Sequence, residues 1–229
     1  MPGPDAQGSL LYCAPLPGRS LGLTNELLRR SRLSAPHGLD LGNPPIPGTA
    51  EQALASAQGH VLEIGFGTGL NLPHYPQAVT SLTALDPATL LPRKVARRIS
   101  QRSLPVELVR LSAETLPFED GRFDCAVSTW TLCTIPDPVA ALREVRRVLK
   151  PGGTYVFLEH GRSDDARVAK WQDFFNPVQR VIACGCNLNR PIDALISQGG
   201  LRIDRLDRFL LPGVSRIAGE MYRGVAIPA

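Results

Sequence analysis

The chain has 229 residues, 43% of them hydrophobic and 20% charged, the balance of a globular protein with room for one large core. It holds no uninterrupted apolar run of about 18 residues to cross a bilayer, and its start, MPGPDAQGSLLYCAPLPGRS, lacks the basic-then-apolar order of a secretion signal, so a cytoplasmic location is expected. A net charge of +4 that is not gathered into one tract argues against nucleic acid as a partner, and five scattered cysteines, an odd number, argue against a disulfide framework.

Residues 1–48 are rich in proline and glycine (PGP, APLPG, GNPPIPG) around one short candidate helix, Thr24 to Arg32, and read as an arm or lid. From His60 onward apolar strands alternate with amphipathic helices: VLEIG and a helix after the glycines, SLTALD and an Arg-rich helix over 91–102, VELVRL, FDCAVST, a helix from Asp137 to Lys150, then TYVFLE. That alternation predicts crossover units, a mainly parallel sheet and an α/β three-layer, Rossmann-like fold. Asp137 caps the helix at 137–150, Pro138 suits its first position, and Pro151-Gly152-Gly153 stops it. Val139, Leu142, Val145, Val148 and Leu149 form its predicted buried face, with the arginines and Lys150 turned to water. Arg93, Lys94, Arg97, Arg98 and Arg102 read the same way, as a solvated face. The chain is expected to be one domain: the arm 1–48, a cofactor-binding half 49–161, and a substrate-cover and C-terminal half 162–229.

The stretch HVLEIGFGTGLNLPHYP, residues 60–76, runs from a buried strand into Gly65, Gly67 and Gly69. Bare backbone there offers N–H groups to a polar or anionic ligand, at the positive end of a following helix. The spacing E-x-G-x-G-x-G departs from the G-x-G-x-x-G of dinucleotide enzymes, which makes a nicotinamide oxidoreductase the lesser alternative. Glu63 is placed either to hold an ammonium group or to orient the turn. Asp86 closes the second strand where a carboxylate binds both hydroxyls of a ribose, or else serves as a turn residue before Pro87.

In these segments the sequence resembles the class I S-adenosylmethionine-dependent methyltransferases of the type 11 kind, in order from about residue 60 to 160. LEIGFGTG looks like their first motif, LTALDP the ribose acid, LSAETLPFEDGRFD the adenine segment, and LREVRRVLKPGG the helix and turn before the fifth strand. The resemblance implies S-adenosyl-L-methionine as cofactor, contacted by Glu63, Gly65, Gly67, Gly69, Asp86, Ser112, Ala113, Glu114 and Thr129. Ser112 stands where many relatives carry an aspartate for the adenine amino group. The family also implies a seven-stranded sheet closed by an antiparallel hairpin near Leu201–Phe209 and Met221–Ile227.

The segment LEHGRSDDARVAKWQDFFNPVQRVIACGCNLNRPIDALI looks like the bacterial relatives of the animal alkyl thiol methyltransferases, with Glu159-His160, Trp171 and Gly185-Cys186 in the matching places. The likeness favours a small, hydrophobic acceptor bearing a thiol or sulfide. A phospholipid amine, a quinone-like ring and a non-catalytic binding module remain as alternatives. Methyl transfer needs alignment, exclusion of water and removal of one proton. His160, at the carboxyl end of a central strand, is the candidate base, with a satisfied structural histidine as the other reading, and Glu159 is an orienting or structural partner. STWTLCTIPD is expected to wall the reacting methyl with Trp130, Thr131, Leu132 and Cys133, and Trp171 and Cys186 complete the acceptor site; Trp171, Phe174 and Phe175 make the cover apolar. Cys184-x-Cys186 lacks evident third and fourth ligands, so no metal is expected. Cys125 reads as core; His37, His60 and His74 show no ligand spacing, and His74-Tyr75 lie near the expected cofactor mouth. Asn43-Pro44-Pro45 imitates an amine methyltransferase motif but lies upstream of the first motif.

Overall fold

The computed structural model describes residues 49–88, 92–183 and 185–229. The Thr24 to Arg32 helix, His37, Asn43-Pro44-Pro45, Cys13 and Cys184 lie outside these described residues.

Seven strands form one sheet: β1 (Gly59–Ile64), β2 (Val79–Leu85), β3 (Val106–Val109), β4 (Phe123–Thr129), β5 (Leu149–His160), β6 (Leu201–Leu210) and β7 (Glu220–Pro228), in the spatial order β3-β2-β1-β4-β5-β7-β6. Neighbours from β3 to β5 run parallel, and β7 pairs antiparallel with both β5 and β6. The helices are α1 (Thr49–Leu54), α2 (Pro92–Ser100), α3 (Pro138–Val148), α4 (Ala166–Ile182) and α5 (Ile192–Gln198). This is the Rossmann-like architecture that the alternating strands and helices predict, and the hairpin falls where expected.

The central strands are apolar on both faces because helices cover both. Leu62 and Ile64 of β1, with Tyr155 and Phe157 of β5, pack with Leu142 and Val145 of α3. The alternate residues Val61 and Val156 join Leu82, Cys125 and Val127 in a second core with Leu54 and Val95. Cys125 is core, as its place in FDCAVST predicts, and burial pushes its thiol up to about 11. Each fully buried Leu or Phe contributes about 1.5–3 kcal/mol.

Several local expectations are corrected. The helix predicted after the glycines is only a 3-10 turn, Leu72–His74, because Pro76 removes an amide donor and pushes Tyr75 before it into extended backbone at ψ 130°. α3 ends at Val148, not Lys150: Leu149 is extended at ψ 136°, and Lys150 precedes a proline. Its buried set is Pro138, Ala141, Leu142, Val145 and Val148, with Val139 only half-buried. Asp137 does cap it, its Oδ1 accepting from Ala140 N at 3.0 Å. The strand VELVRL stops at Val109, leaving Leu111 43% exposed.

Some of the basic residues assigned to solvent are anchors instead. Arg147 donates to the carbonyls of Leu116 and Phe118 and to Asp120 and Glu144. Lys150 donates to Asp124 at 2.6 Å. No helix among the described residues is long and apolar enough to cross a membrane.

Candidate active site

The carboxyl ends of β1, β2, β4 and β5 share one edge of the sheet, the edge where open α/β sheets receive ligands. β1 delivers the glycine turn there. Gly65 N and Phe66 N both donate to Leu85 O, at 2.8 and 3.1 Å, tying the turn to the end of β2. Gly65 has φ +74°, and a Cβ on it would lie 2.1 Å from Thr131 Oγ1, so the backbone of the turn sits directly against the loop that follows β4.

Asp86 braces the same turn. Its Oδ2 accepts from Gly67 N at 2.8 Å and its Oδ1 from Ala88 N at 2.8 Å, which fixes a half-buried carboxylate at the mouth with an acceptor position remaining on each oxygen. From α2, Arg98 donates to Thr68 O, and Arg102, just beyond it, donates to Tyr75 O at 3.2 Å. These two side chains therefore hold the loop rather than only solvating a helix face.

Glu63 orients the turn. Its carboxylate is 1% exposed and accepts from Asn71 Nδ2 at 2.7 Å and from Tyr75 OH at 2.9 Å. Burial pushes its pKa up to about 7 against the pull of those two hydrogen bonds. Asn71 also donates to Thr129 Oγ1 at 2.8 Å, which links β1, the 3-10 turn and the end of β4. Tyr75 is buried beneath the turn rather than open at its mouth. Asn71 is the pivot of this network, and nothing in its local spacing marks it.

In the β3–β4 connection Ala113 is buried, and Ser112 Oγ donates to Glu114 Oε2 at 2.8 Å. Glu114 Oε1 accepts from Asp137 N at 2.7 Å, so this segment is fixed to the entrance of α3.

The loop after β4 is strained and clamped. Trp130 has φ 55°, in the left-handed region that costs a bulky residue about 1–3 kcal/mol, and the residue is 39% exposed. Three contacts hold it: Trp130 N donates to Leu158 O at 2.9 Å, and Thr131 N and Leu132 N both donate to Glu159 Oε2, at 2.8 and 3.1 Å. Glu159 Oε1 accepts from Ser128 Oγ at 2.7 Å. The Glu159 carboxylate is fully buried, its pKa raised to about 7 by that burial, and it accepts from Ser128 near the end of β4 and from Thr131 and Leu132 in the loop, so it holds the Trp130 loop in place.

His160 instead faces the cysteines. Its Nε2 lies 3.0 Å from Cys186 Sγ, and its ring packs 5.6 Å from the Trp130 ring. Cys133 Sγ completes the group: one ligand-type atom from each of Cys133, His160 and Cys186 lies within 4.8 Å of the others. A hydrogen bond with Cys186, helped by burial, pushes the Cys133 thiol up; the same bond, helped by His160, draws Cys186 down toward thiolate. Asn187 sets the spacing, its N and Nδ2 both donating to Cys133 O at 2.9 Å and its Nδ2 also to Gly185 O at 3.0 Å. Arg190 donates to the carbonyls of Leu132 and Ile135, bringing a half-buried guanidinium to the same loop.

Trp130, Cys133, His160 and Cys186 thus converge, whereas Trp171 stands apart. Gln172 is the inward-facing residue of α4, fully buried and bonded to Ser163 N, Gly161 O and Ile217 O. Trp171 is 54% exposed and stacks on Phe175 at 5.7 Å, with Phe174 at its edge. His60 sits at the start of β1, its Nε2 3.2 Å from Thr83 Oγ1, remote from the ligand edge.

Residues 62–157 match a protein-family profile described as "Methyltransferase domain". Human thiol S-methyltransferase TMT1B is 36% identical over 145 residues, 61% of this chain and 59% of its own length. Phosphatidylethanolamine N-methyltransferase of Cereibacter sphaeroides is 34% identical over 113 residues, 48% of this chain and 55% of its own. The chain thus spans under two thirds of either relative. Among solved structures, a SAM-dependent methyltransferase from Methanosarcina mazei superposes with a TM-score of 0.58 at 20% identity, covering 81% of this chain and all of the other. Residues 62–157 thus match the methyltransferase profile, and the chain as a whole has the Rossmann-like fold that it shares with that solved structure.

Proposed function

We propose that this protein is an S-adenosylmethionine-dependent methyltransferase that acts on a small, hydrophobic thiol. The observation that carries the reading is the juxtaposition, along one sheet edge, of the Gly65–Asp86 cradle with the Trp130, Cys133, His160 and Cys186 group. β1 and β5 are separated only by β4, so the strand ends that carry Gly65 and His160 lie about 10 Å apart across the sheet at ordinary strand spacing.

The residues present fit the donor. The bare backbone of Gly65 lets the turn close against Thr131 of the β4 loop, and Asp86 keeps acceptor capacity for two hydroxyls beside the turn. Gly65, Gly67, Asp86 and the Ser112–Glu114 segment would hold the cofactor, which supplies an activated methyl group on a sulfonium. The chain's part is alignment and exclusion of water: Glu63 and Asn71 fix the turn, Glu159 fixes Trp130, and the Trp130 ring covers His160. His160 Nε2 is engaged by Cys186, so the acceptor meets a thiol–imidazole group rather than a free base.

A thiol suits such a site, since an unperturbed thiol near pKa 8.5 needs less help to lose its proton than an amine or hydroxyl. The human relative is a thiol S-methyltransferase, which supports the same acceptor. A phospholipid amine is the second reading, favoured by the exposed Trp171, Phe174 and Phe175 face and by the Cereibacter relative. Mass spectrometry of products from parallel incubations with alkyl thiols, phenols, amines and phosphatidylethanolamine vesicles separates them. Methylation of the thiol alone supports the proposal; methylation of the vesicle lipid and not the thiol replaces it with the second reading.

A further inference from the structure

We propose that Cys133, His160 and Cys186 bind a zinc ion, and that its fourth position is taken by the acceptor thiolate. The inference rests on the thiol reading for the identity of the fourth ligand, but not for the metal itself. Two sulfurs and one imidazole nitrogen from three separate segments meet within 4.8 Å, with His160 Nε2 at 3.0 Å from Cys186 Sγ. In a tetrahedral site with zinc–sulfur bonds of about 2.3 Å and zinc–nitrogen bonds of about 2.0 Å, ligand atoms stand roughly 3.5–3.8 Å apart, so side-chain rotations suffice to close the group on a metal.

The donor set is that of a soft or borderline cation, and three protein ligands with one position open is the catalytic form of zinc site. Among the described residues no fourth Cys, His, Asp or Glu joins the group. Glu159, next in sequence to His160, has both oxygens engaged by Ser128, Thr131 and Leu132. Charge also balances. Zinc neutralises the two cysteine thiolates, and the acceptor thiolate adds one negative charge in a loop that already holds the Arg190 guanidinium.

The chemistry follows. On joining zinc, the acceptor thiol releases its proton to solvent, because the metal stabilises the thiolate. The acceptor sulfur lone pair then forms the bond to the methyl carbon while the bond from that carbon to the donor's sulfonium sulfur breaks, giving a thioether and S-adenosylhomocysteine. The thioether is a weak ligand and leaves. No oxidant or reductant enters.

The test uses the full chain, reduced and stripped with a chelator, then titrated with cobalt(II) as a spectroscopic substitute for zinc. The expected result is one equivalent bound with thiolate-to-cobalt charge transfer and tetrahedral visible bands, bleached by zinc. Cys133→Ala, His160→Ala and Cys186→Ser should each weaken binding at least about 10-fold while retaining S-adenosylhomocysteine binding by calorimetry, which shows that they fold. Cys184→Ser should keep the metal. An alkyl thiol should shift the visible bands and an alkyl amine should not. Cobalt bound without thiolate bands, or unchanged in the cysteine variants, would overturn the inference, as would loss of the metal in Cys184→Ser, which would close the fourth position with protein. Undiminished thiol methylation by stripped protein would also overturn it while leaving the thiol reading intact. A bound cobalt indifferent to thiols, together with methylation of amines, would instead defeat the thiol reading and with it the acceptor position.

Discussion

Gly65→Ala is expected to be far more damaging than the methyl group it adds would suggest. Two costs combine. At φ +74° an L-residue is strained by about 1–2 kcal/mol, and the new Cβ would sit 2.1 Å from Thr131 Oγ1 and 2.3 Å from its Cγ2. Thr131 cannot step aside: its N donates to Glu159 and its Oγ1 to Thr129 O at 2.9 Å. Overpacking of that kind costs about 1–3 kcal/mol, for a total of about 3 kcal/mol. Gly152→Ala is the control, because Gly152 has φ +78° but nothing within 4 Å of its would-be Cβ, so only the strain applies. In thermal unfolding, at about 2–4 °C per kcal/mol for a domain of this size, Gly152→Ala, with about 1.5 kcal/mol of strain, should lower Tm by about 3–6 °C and Gly65→Ala by about 6–12 °C. Adding Thr131→Ala to Gly65→Ala removes the two nearest atoms and should recover about half of the difference. Equal losses from the two alanine variants would refute the crowding of Gly65 against the loop.

Four further outcomes are expected. Glu63 has its pKa raised by burial from the ordinary 4.5 to about 7, so its contribution to stability is complete below about pH 4.5 and is lost as pH rises through 7, a change of about 3 kcal/mol. Urea unfolding should therefore show Glu63→Gln to be less sensitive than wild type between pH 5 and 8, and identical pH profiles would contradict this. Asp86→Ala should weaken S-adenosylhomocysteine about 100-fold in calorimetry, the loss of roughly two charge-assisted hydrogen bonds at the cradle. Trp130→Gly should change stability by no more than about 1 kcal/mol, because relief of the φ 55° strain offsets the lost ring contact, yet reduce methyl transfer at least about 10-fold. Glu159→Gln should keep the fold and the Trp130 loop, since one oxygen still accepts from Thr131 N and Leu132 N, whereas Glu159→Ala leaves those buried donors unpaired and should lower stability by about 3 kcal/mol in urea unfolding.

What was legible in the sequence was whatever repeats or is local. The strands announced themselves because helices cover both faces, making Val61 to Ile64 apolar but for Glu63 and Tyr155 to Leu158 continuously apolar. The cap at Asp137 was legible because its partner, Ala140, is three residues away. The glycine pattern invited a helix that Pro76 cuts short at Tyr75, an instance of a motif outweighing local turn chemistry. The parts of the site that depend on distant pairing were not legible. Asn71 reaches Thr129, Arg98 reaches Thr68, and Cys133, His160 and Cys186 come together from the β4 loop, the end of β5 and the α4–α5 connection. Only the strand order brings these segments side by side. For the same reason the sequence offers Cys184 as the metal partner of Cys186, whereas the structure sets Cys133 and His160, expected only as its companions in the acceptor site, at ligand distance.

The central claim, that the glycine turn and Asp86 form the seat of an adenosyl-sulfonium donor, is tested most directly by isothermal titration of S-adenosylhomocysteine into the purified full-length chain. The account predicts one equivalent bound, with the heat largely abolished in Asp86→Ala although that variant unfolds cooperatively. No heat with wild type, or an undiminished signal in Asp86→Ala, would contradict it.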